Sequence, residues 1–285
     1  MYIFKMKLLL SFISIFLFST YQAQLLWKIS GQNLSKESYL YGTIHLVPKE
    51  KFVVKKSIDK AFNLSEILAL EIDLNMSLKD KINAAREMIL PNNKKLSDYM
   101  SVEEFVKLKS YCRDTLHISK GKFNRYLRLK PFFFSAVLVQ ESIGKSKGYD
   151  TYFQKMANKK KMPLVGLEKL EDQLSLVNKL DMQEQIDALK ESSSAELNEY
   201  YEMLDLYMKE DIITLEKLIN NSESMDENFK ENFLINRNKN WMPVIENLVQ
   251  KKSSFIAVGA AHLLGEEGVI QLLKNKGYIL TPILE

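Results

Sequence analysis

The sequence predicts an α/β (α+β) fold: a central, mainly parallel sheet from the N- and C-terminal segments, with a largely helical middle inserted between them. Three observations carry this expectation. The two outer segments alternate short apolar, strand-like runs with short helical ones. Residues from about 170 to 250 carry almost unbroken helical spacing. Two Gly-x-x-His motifs, Gly42–His45 and Gly259–His262, close apolar runs near opposite ends of the chain, as side chains do at the strand ends of an open α/β sheet.

In chain order, Lys5 and Lys7 precede an apolar stretch, Leu8 to Phe18, and a small polar run, Ser19 to Gln24. This is the pattern of a signal peptide cleaved after Ala23, and the apolar stretch is shorter than the roughly 20 residues that a membrane span needs. The mature domain, 24–285, is therefore expected without a stable membrane span, in the periplasm or secreted. Ser38 to Leu46 reads as a strand, Lys56 to Leu64 as a short helix and Glu66 to Asp73 as a second strand, a β-α-β unit whose two strands pair in parallel. Ser101 with Glu104 forms a capping box, and Pro131 opens a helix running to Val139. A helix from residue 149 leads into a strand at Met162 to Glu168, and a helical insertion covers about 170–250. The end of the chain reads as a buried strand, Ser254 to Gly259, a helix from Glu266 to Lys276 stopped by Gly277, and a closing strand, Tyr278 to Ile283.

Composition narrows the function. Cys112 is the single cysteine, so no internal disulfide forms, and its surroundings suggest a half-buried helical residue rather than a nucleophile. The 40 basic residues face 36 acidic ones, a near balance that argues against nucleic acid as a partner.

Chemistry concentrates where the apolar runs end. His45, Glu71, Glu168 and His262 each sit at or near the carboxyl end of such a run, so they can meet in one crevice. With ten glycines in 285 residues, a given histidine follows a glycine at that spacing about once in thirty, yet two of the three histidines do. His117 lacks this context and reads as surface or loop. Two imidazoles and a carboxylate suit a divalent metal with a water; a hydrogen-bonded structural pair of histidines is the other reading. Glu71 lies in Leu68-Ala69-Leu70-Glu71-Ile72 and needs a cation or an arginine to be buried there. Glu168 either joins the site or caps the next helix. Arg237 falls on an apolar stripe between Phe233 and Trp241, with Asn238 beside Leu234 and Met242. It either pairs with Glu71 or Glu168 or steadies an oxyanion on a substrate.

Leu26 to Ile29, Tyr39-Leu40-Tyr41-Gly42-Thr43-Ile44-His45, Leu70 to Asp73, Gly166-Leu167-Glu168 with Gln173, Arg237-Asn238 and Val258 to Gly268 form an ordered set over almost the whole mature chain. That set resembles the TraB/GumN family with the animal Tiki proteases and, more distantly, ChaN and erythromycin-esterase-like proteins. The resemblance implies a divalent-metal-dependent hydrolase, a peptidase acting on peptide or protein. His45, His262 and Glu71 would be its ligands for Mn, Co, Zn or Fe, and Gln173 would contact substrate. Glu168, Gln173, Arg237 and Asn238 match the family's other polar positions; in the mechanism these residue types suggest, Glu71 or Glu168 takes the proton of a metal-held water and Arg237 with Asn238 steadies the tetrahedral oxyanion. A non-catalytic envelope protein that binds a peptide, a metal complex or haem in the same crevice is the alternative reading.

Overall fold

The computed structural model describes residues 24–191, 195–222 and 226–284. The proposed signal peptide, residues 1–23, lies outside them. The strands are β1 Leu26–Gly31, β2 Ser38–Thr43, β3 Val47–Pro48, β4 Ile67–Ile72, β5 Ser146–Lys147, β6 Leu164–Glu168, β7 Ser254–Gly259 and β8 Tyr278–Pro282. The helices are α1 Lys56–Leu64, α2 Leu78–Glu87, α3 Val102–Ser110, α4 Lys120–Tyr126, α5 Pro131–Ile143, α6 Tyr149–Lys160 and α7 Leu170–Lys179. They continue with α8 Met182–Glu191, α9 Ala195–Met208, α10 Ile212–Asn221, α11 Glu227–Lys230, α12 Asn236–Lys251 and α13 Val269–Asn275. The predicted capping box closes as expected, the Ser101 N–H donating to Glu104 Oε2 at 2.7 Å and the Glu104 N–H to Ser101 Oγ at 3.2 Å.

Six strands form one sheet in the order β6-β4-β7-β2-β1-β8. Within it β6, β4, β7 and β2 run parallel, while β1 pairs antiparallel with both β2 and β8. The mainly parallel sheet expected from the sequence is thus present, with one correction. The two strands of the β-α-β unit do not pair with each other: β7 lies between them, Tyr39 facing Phe255 on one side and Leu68 facing Phe255 on the other. The reason is burial, because Ser254 to Val258 are all buried and such a strand is most stable with a partner along each edge and a layer on each face.

Three smaller corrections follow from local geometry. The strand predicted to reach Leu46 ends at Thr43, so His45 stands two residues beyond it. The final helix starts at Val269 rather than Glu266, because a turn with Gly265 at φ +76° precedes it and a Cβ on Gly268 would meet the Leu264 carbonyl. Strand β1, absent from the secondary-structure reading, binds the closing strand to the rest of the sheet.

Alternation along the strands divides the apolar core. Tyr41, Leu68, Leu70, Phe255 and Ala257 face Ile58 and Phe62 of α1, Tyr149 and Phe153 of α6 and Tyr207 of α9. Leu40, Ala69, Ile256 and Val258 face Trp241, Ile245 and Val249 of α12 and Leu273 of α13. A third cluster away from the sheet joins Leu90, Cys112, Phe123, Phe134, Leu138 and Ile186. Cys112 is fully rather than half buried there, and burial pushes its thiol up to about 12, which removes it as a nucleophile.

Candidate functional site

Because β2, β4, β6 and β7 run the same way, their carboxyl ends open at one edge of the sheet. Glu71 is in the last turn of pleat of β4, Glu168 is the last residue of β6, and His262 lies in a one-turn 3-10 helix, Ala260–Leu263, directly after β7. The insertion of β7 between β2 and β4 is what brings both Gly-x-x-His motifs next to Glu71.

The two glycines of these motifs have different tasks. A Cβ on Gly42 would lie 2.7 Å from Leu263 Cδ1 and 3.2 Å from the Ala260 Cα, so its absence lets the turn carrying His262 pack onto β2. A Cβ on Gly259 would lie 3.3 Å from Glu71 Oε1, 3.6 Å from His262 Cδ2 and 3.9 Å from His45 Nε2. Three predicted site residues therefore converge over Gly259, whose N–H donates to Glu71 Oε1 at 2.8 Å. The backbone at Gly259, φ −52° and ψ 137°, is ordinary, so an alanine fits the chain but not the space. Gly259→Ala is expected to melt within a few degrees of the wild type while displacing the Glu71 carboxylate and the two imidazoles; a thermal melt and the side-chain NMR signals of His45 and His262 on the same preparation check this. Unshifted histidine signals would show that the three side chains do not meet over Gly259.

His262 is 4% exposed, and its hydrogen bonds assign its tautomer. Arg237 Nη1 lies 3.1 Å from His262 Nε2, and a guanidinium only donates, so Nε2 carries the lone pair. Nδ1 then holds the proton and donates to Asn238 Oδ1 at 2.7 Å. Asn238 is fixed in turn, its amide nitrogen donating to the Glu267 carbonyl at 2.8 Å. Burial pushes His262 down to about 3, so the ring is neutral at physiological pH. Trp241 packs against it with ring centres 4.4 Å apart.

His45 is different. Its side chain is 66% exposed, and Nδ1 lies 2.8 Å from Asp150 Oδ2. The hydrogen bond to Asp150 raises it to about 9, a shift that surrounding water screens at so open a ring. One imidazole is thus held neutral with its lone pair inward, while the other is drawn toward its protonated form.

Arg237 joins the remaining groups. Its Nη2 donates to Glu71 Oε2 at 2.5 Å and to Glu168 Oε1 at 2.6 Å, Nε donates to Glu168 Oε1 at 2.9 Å, and Nη1 donates to the Phe233 carbonyl at 2.9 Å. The guanidinium lies over the Trp241 ring, 4.9 Å from its centre. Glu168 is therefore committed to this network and does not cap the following helix, whose cap is Lys169. Burial opposes the charge of Glu71, but the positive charges that His262, His45 and Arg237 carry at acid pH outweigh it and hold the carboxyl at about 2. Gln173 donates from Nε2 to Glu168 Oε1 at 2.7 Å and to Glu71 Oε2 at 3.3 Å. A cleft of about 120 Å³ opens here, lined by His45, Leu70, Glu71, Asp150 and Gln173. A larger cavity of about 310 Å³ borders the site from behind Asn238 but contains neither motif histidine nor a carboxylate of the network.

Every residue singled out for the site thus lies in this one region, while His117 is an exposed loop residue with φ +51°. Asp150 is the participant that sequence reasoning missed. In kind, two imidazole Nε2 atoms and a carboxylate fit a divalent cation. In placement the lone pair of His262 and one oxygen of Glu71 are engaged by Arg237, and among the described residues no group of three His, Cys, Asp or Glu side chains surrounds one point.

The family model described as TraB/PrgY/gumN family matches residues 25–282. Similar proteins include "Metalloprotease TIKI1" of Danio rerio, 26% identical over 85% of this chain and 60% of its own length. "Metalloprotease TIKI2" of Xenopus tropicalis is 24% identical over 85% of this chain and 57% of its own length. The chain spans less than two thirds of these curated relatives. No solved structure matches the chain. No helix among the described residues is long and apolar enough to cross a membrane.

Proposed function

Since the chain belongs to the TraB/PrgY/gumN family, we propose that it is an exported hydrolase of peptides or proteins, periplasmic or secreted, whose active site is the cleft over Gly259. The observation that carries this reading is the convergence of Glu71, His262 and His45 at the parallel strand ends, with Arg237 bound to the carboxylates. A divalent ion, Mn, Co, Zn or Fe, completes the proposal; bound by His45, His262 and Glu71, it would lower the pKa of a water and polarise a peptide carbonyl. That ligation requires Arg237 to release His262 Nε2, the only ring lone pair that residue has.

The chain's own residues have distinct tasks. Glu71, held ionised, or Glu168, at the end of β6, accepts the proton of the attacking water. Arg237 keeps a fixed positive charge beside Glu71 and Glu168 that favours a developing oxyanion, while Asn238, whose side chain is taken up by His262 and the Glu267 carbonyl, positions the His262 ring. Gln173 uses its amide nitrogen on the two carboxylates, which leaves its carbonyl oxygen to receive a substrate N–H.

The full engagement of Arg237 favours one second reading, a protein that binds peptides, metal complexes or haem in this cleft without turnover. Incubating the purified protein with a mixed peptide library, with and without a chelator, and scoring new termini by mass spectrometry separates the two. Cleavage that the chelator stops and added Mn, Co, Zn or Fe restores is the expected result. Retention of peptides with no new termini in any metal would replace the hydrolase with the binder.

A further inference from the structure

Asp150 lies in the first turn of α6, where a carboxylate also meets the positive end of a helix, and that position alone would be unremarkable in a chain with 36 acidic residues. Its two oxygens, however, are both directed at the strand end that carries the first Gly-x-x-His motif. Oδ2 lies 2.8 Å from His45 Nδ1, and Oδ1 accepts from Thr43 Oγ1 at 3.2 Å. Thr43 is 1% exposed, so the hydroxyl holding the carboxylate in place is itself immobilised.

The backbone fixes the same approach. A Cβ on Gly148, the residue before α6, would lie 2.5 Å from the His45 carbonyl oxygen, so the start of α6 is pressed directly onto His45. The main chain of His45 is thus fixed against the start of α6, and the Asp150 carboxylate, brought there by the same approach, sets the orientation of an imidazole that is otherwise 66% exposed and free to turn.

A carboxylate at Nδ1 decides which nitrogen does the chemistry. Because Asp150 only accepts, His45 keeps its Nδ1 proton whether the ring is neutral or cationic, and Nε2 is left as the atom that exchanges a proton or offers a lone pair. Nε2 is also the atom on the side of Gly259 and the carboxylate network, 3.9 Å from where a Gly259 Cβ would stand.

We propose that Asp150, itself held by Thr43, is the positioning residue of His45: it locks the ring with Nδ1–H toward α6 and Nε2 toward Glu71. This rests on the reading of the cleft as the active site, but the lock itself exists in the protein without substrate and can be measured there.

The test uses Asp150→Asn, which keeps size and shape but loses the charged acceptor, and Thr43→Val, which removes only the hydroxyl that orients the carboxylate. Long-range proton–nitrogen NMR spectra of the histidine side chains report which ring nitrogen of His45 carries the proton; there are three histidines to assign. The expected wild-type signature is a protonated Nδ1. Asp150→Asn is expected to shift His45 toward a mixture of tautomers and to reduce kcat about 10- to 100-fold, with KM and the melt little changed. Thr43→Val should move both readouts the same way by less, and decides the matter should the first variant not fold. An unaltered His45 spectrum and kcat in a folded variant would overturn the proposal. A wild type that shows the locked tautomer but cleaves no peptide would instead remove the hydrolase reading and leave the role of Asp150 in place.

Discussion

Arg237→Met is expected to destabilise the protein by about 3–5 kcal/mol, because it leaves two buried carboxylates without their shared cation. The Arg237, Glu71 and Glu168 side chains are only 11%, 9% and 10% exposed, so water cannot take over the lost contacts. The same substitution in a Glu71→Gln/Glu168→Gln background should cost far less, since neutral amides need no counter-charge. Arg237→Lys should fall between the two. A compact ammonium keeps the charge but cannot reach the Glu71 and Glu168 carboxylates, the Phe233 carbonyl and His262 together. Urea unfolding of the four variants measures this directly. Strictly additive losses would mean that Arg237 stabilises the fold through its packing on Trp241 and its hydrogen bond to the Phe233 carbonyl rather than through the carboxylates.

The unequal legibility of the sequence follows from the range over which each feature is determined. Arg237 could be singled out because a charge placed four residues from Phe233 and four from Trp241 contradicts the apolar face that those residues define, and the structure gives it the carboxylates that such a position demands. The parallel strands could be read because their apolar runs are short and bounded. Which strand would stand at the centre could not be read: β7 is separated from both its neighbours in the sheet by long stretches of chain, and its place is decided by burial on both faces. β1 escaped because its alternation is brief and includes Lys28, whose ammonium reaches out to Glu37. Asp150 left no local trace at all. Its carboxylate sits at an ordinary helix start, and its meaning comes from a partner 105 positions away. The commitment of Glu168 was undecidable for a similar reason, since a carboxylate before a helix serves as a cap or as a partner depending on what the fold brings to it.

The central claim is that the two Gly-x-x-His motifs form one hydrolytic unit with Glu71. It is tested most directly by peptide turnover of the wild type, His45→Ala, His262→Ala and the double variant, each verified as folded. Residues that act as a unit lose their function once, so each single substitution should reduce turnover by about 10³-fold or more, and the double variant should be scarcely worse than the poorer single one. Two independent histidines would give losses that multiply, and purely structural ones would lower the melting temperature while leaving the turnover of the folded fraction unchanged. Either of those outcomes, or a wild type with no turnover for the variants to lose, would contradict a single active site over Gly259.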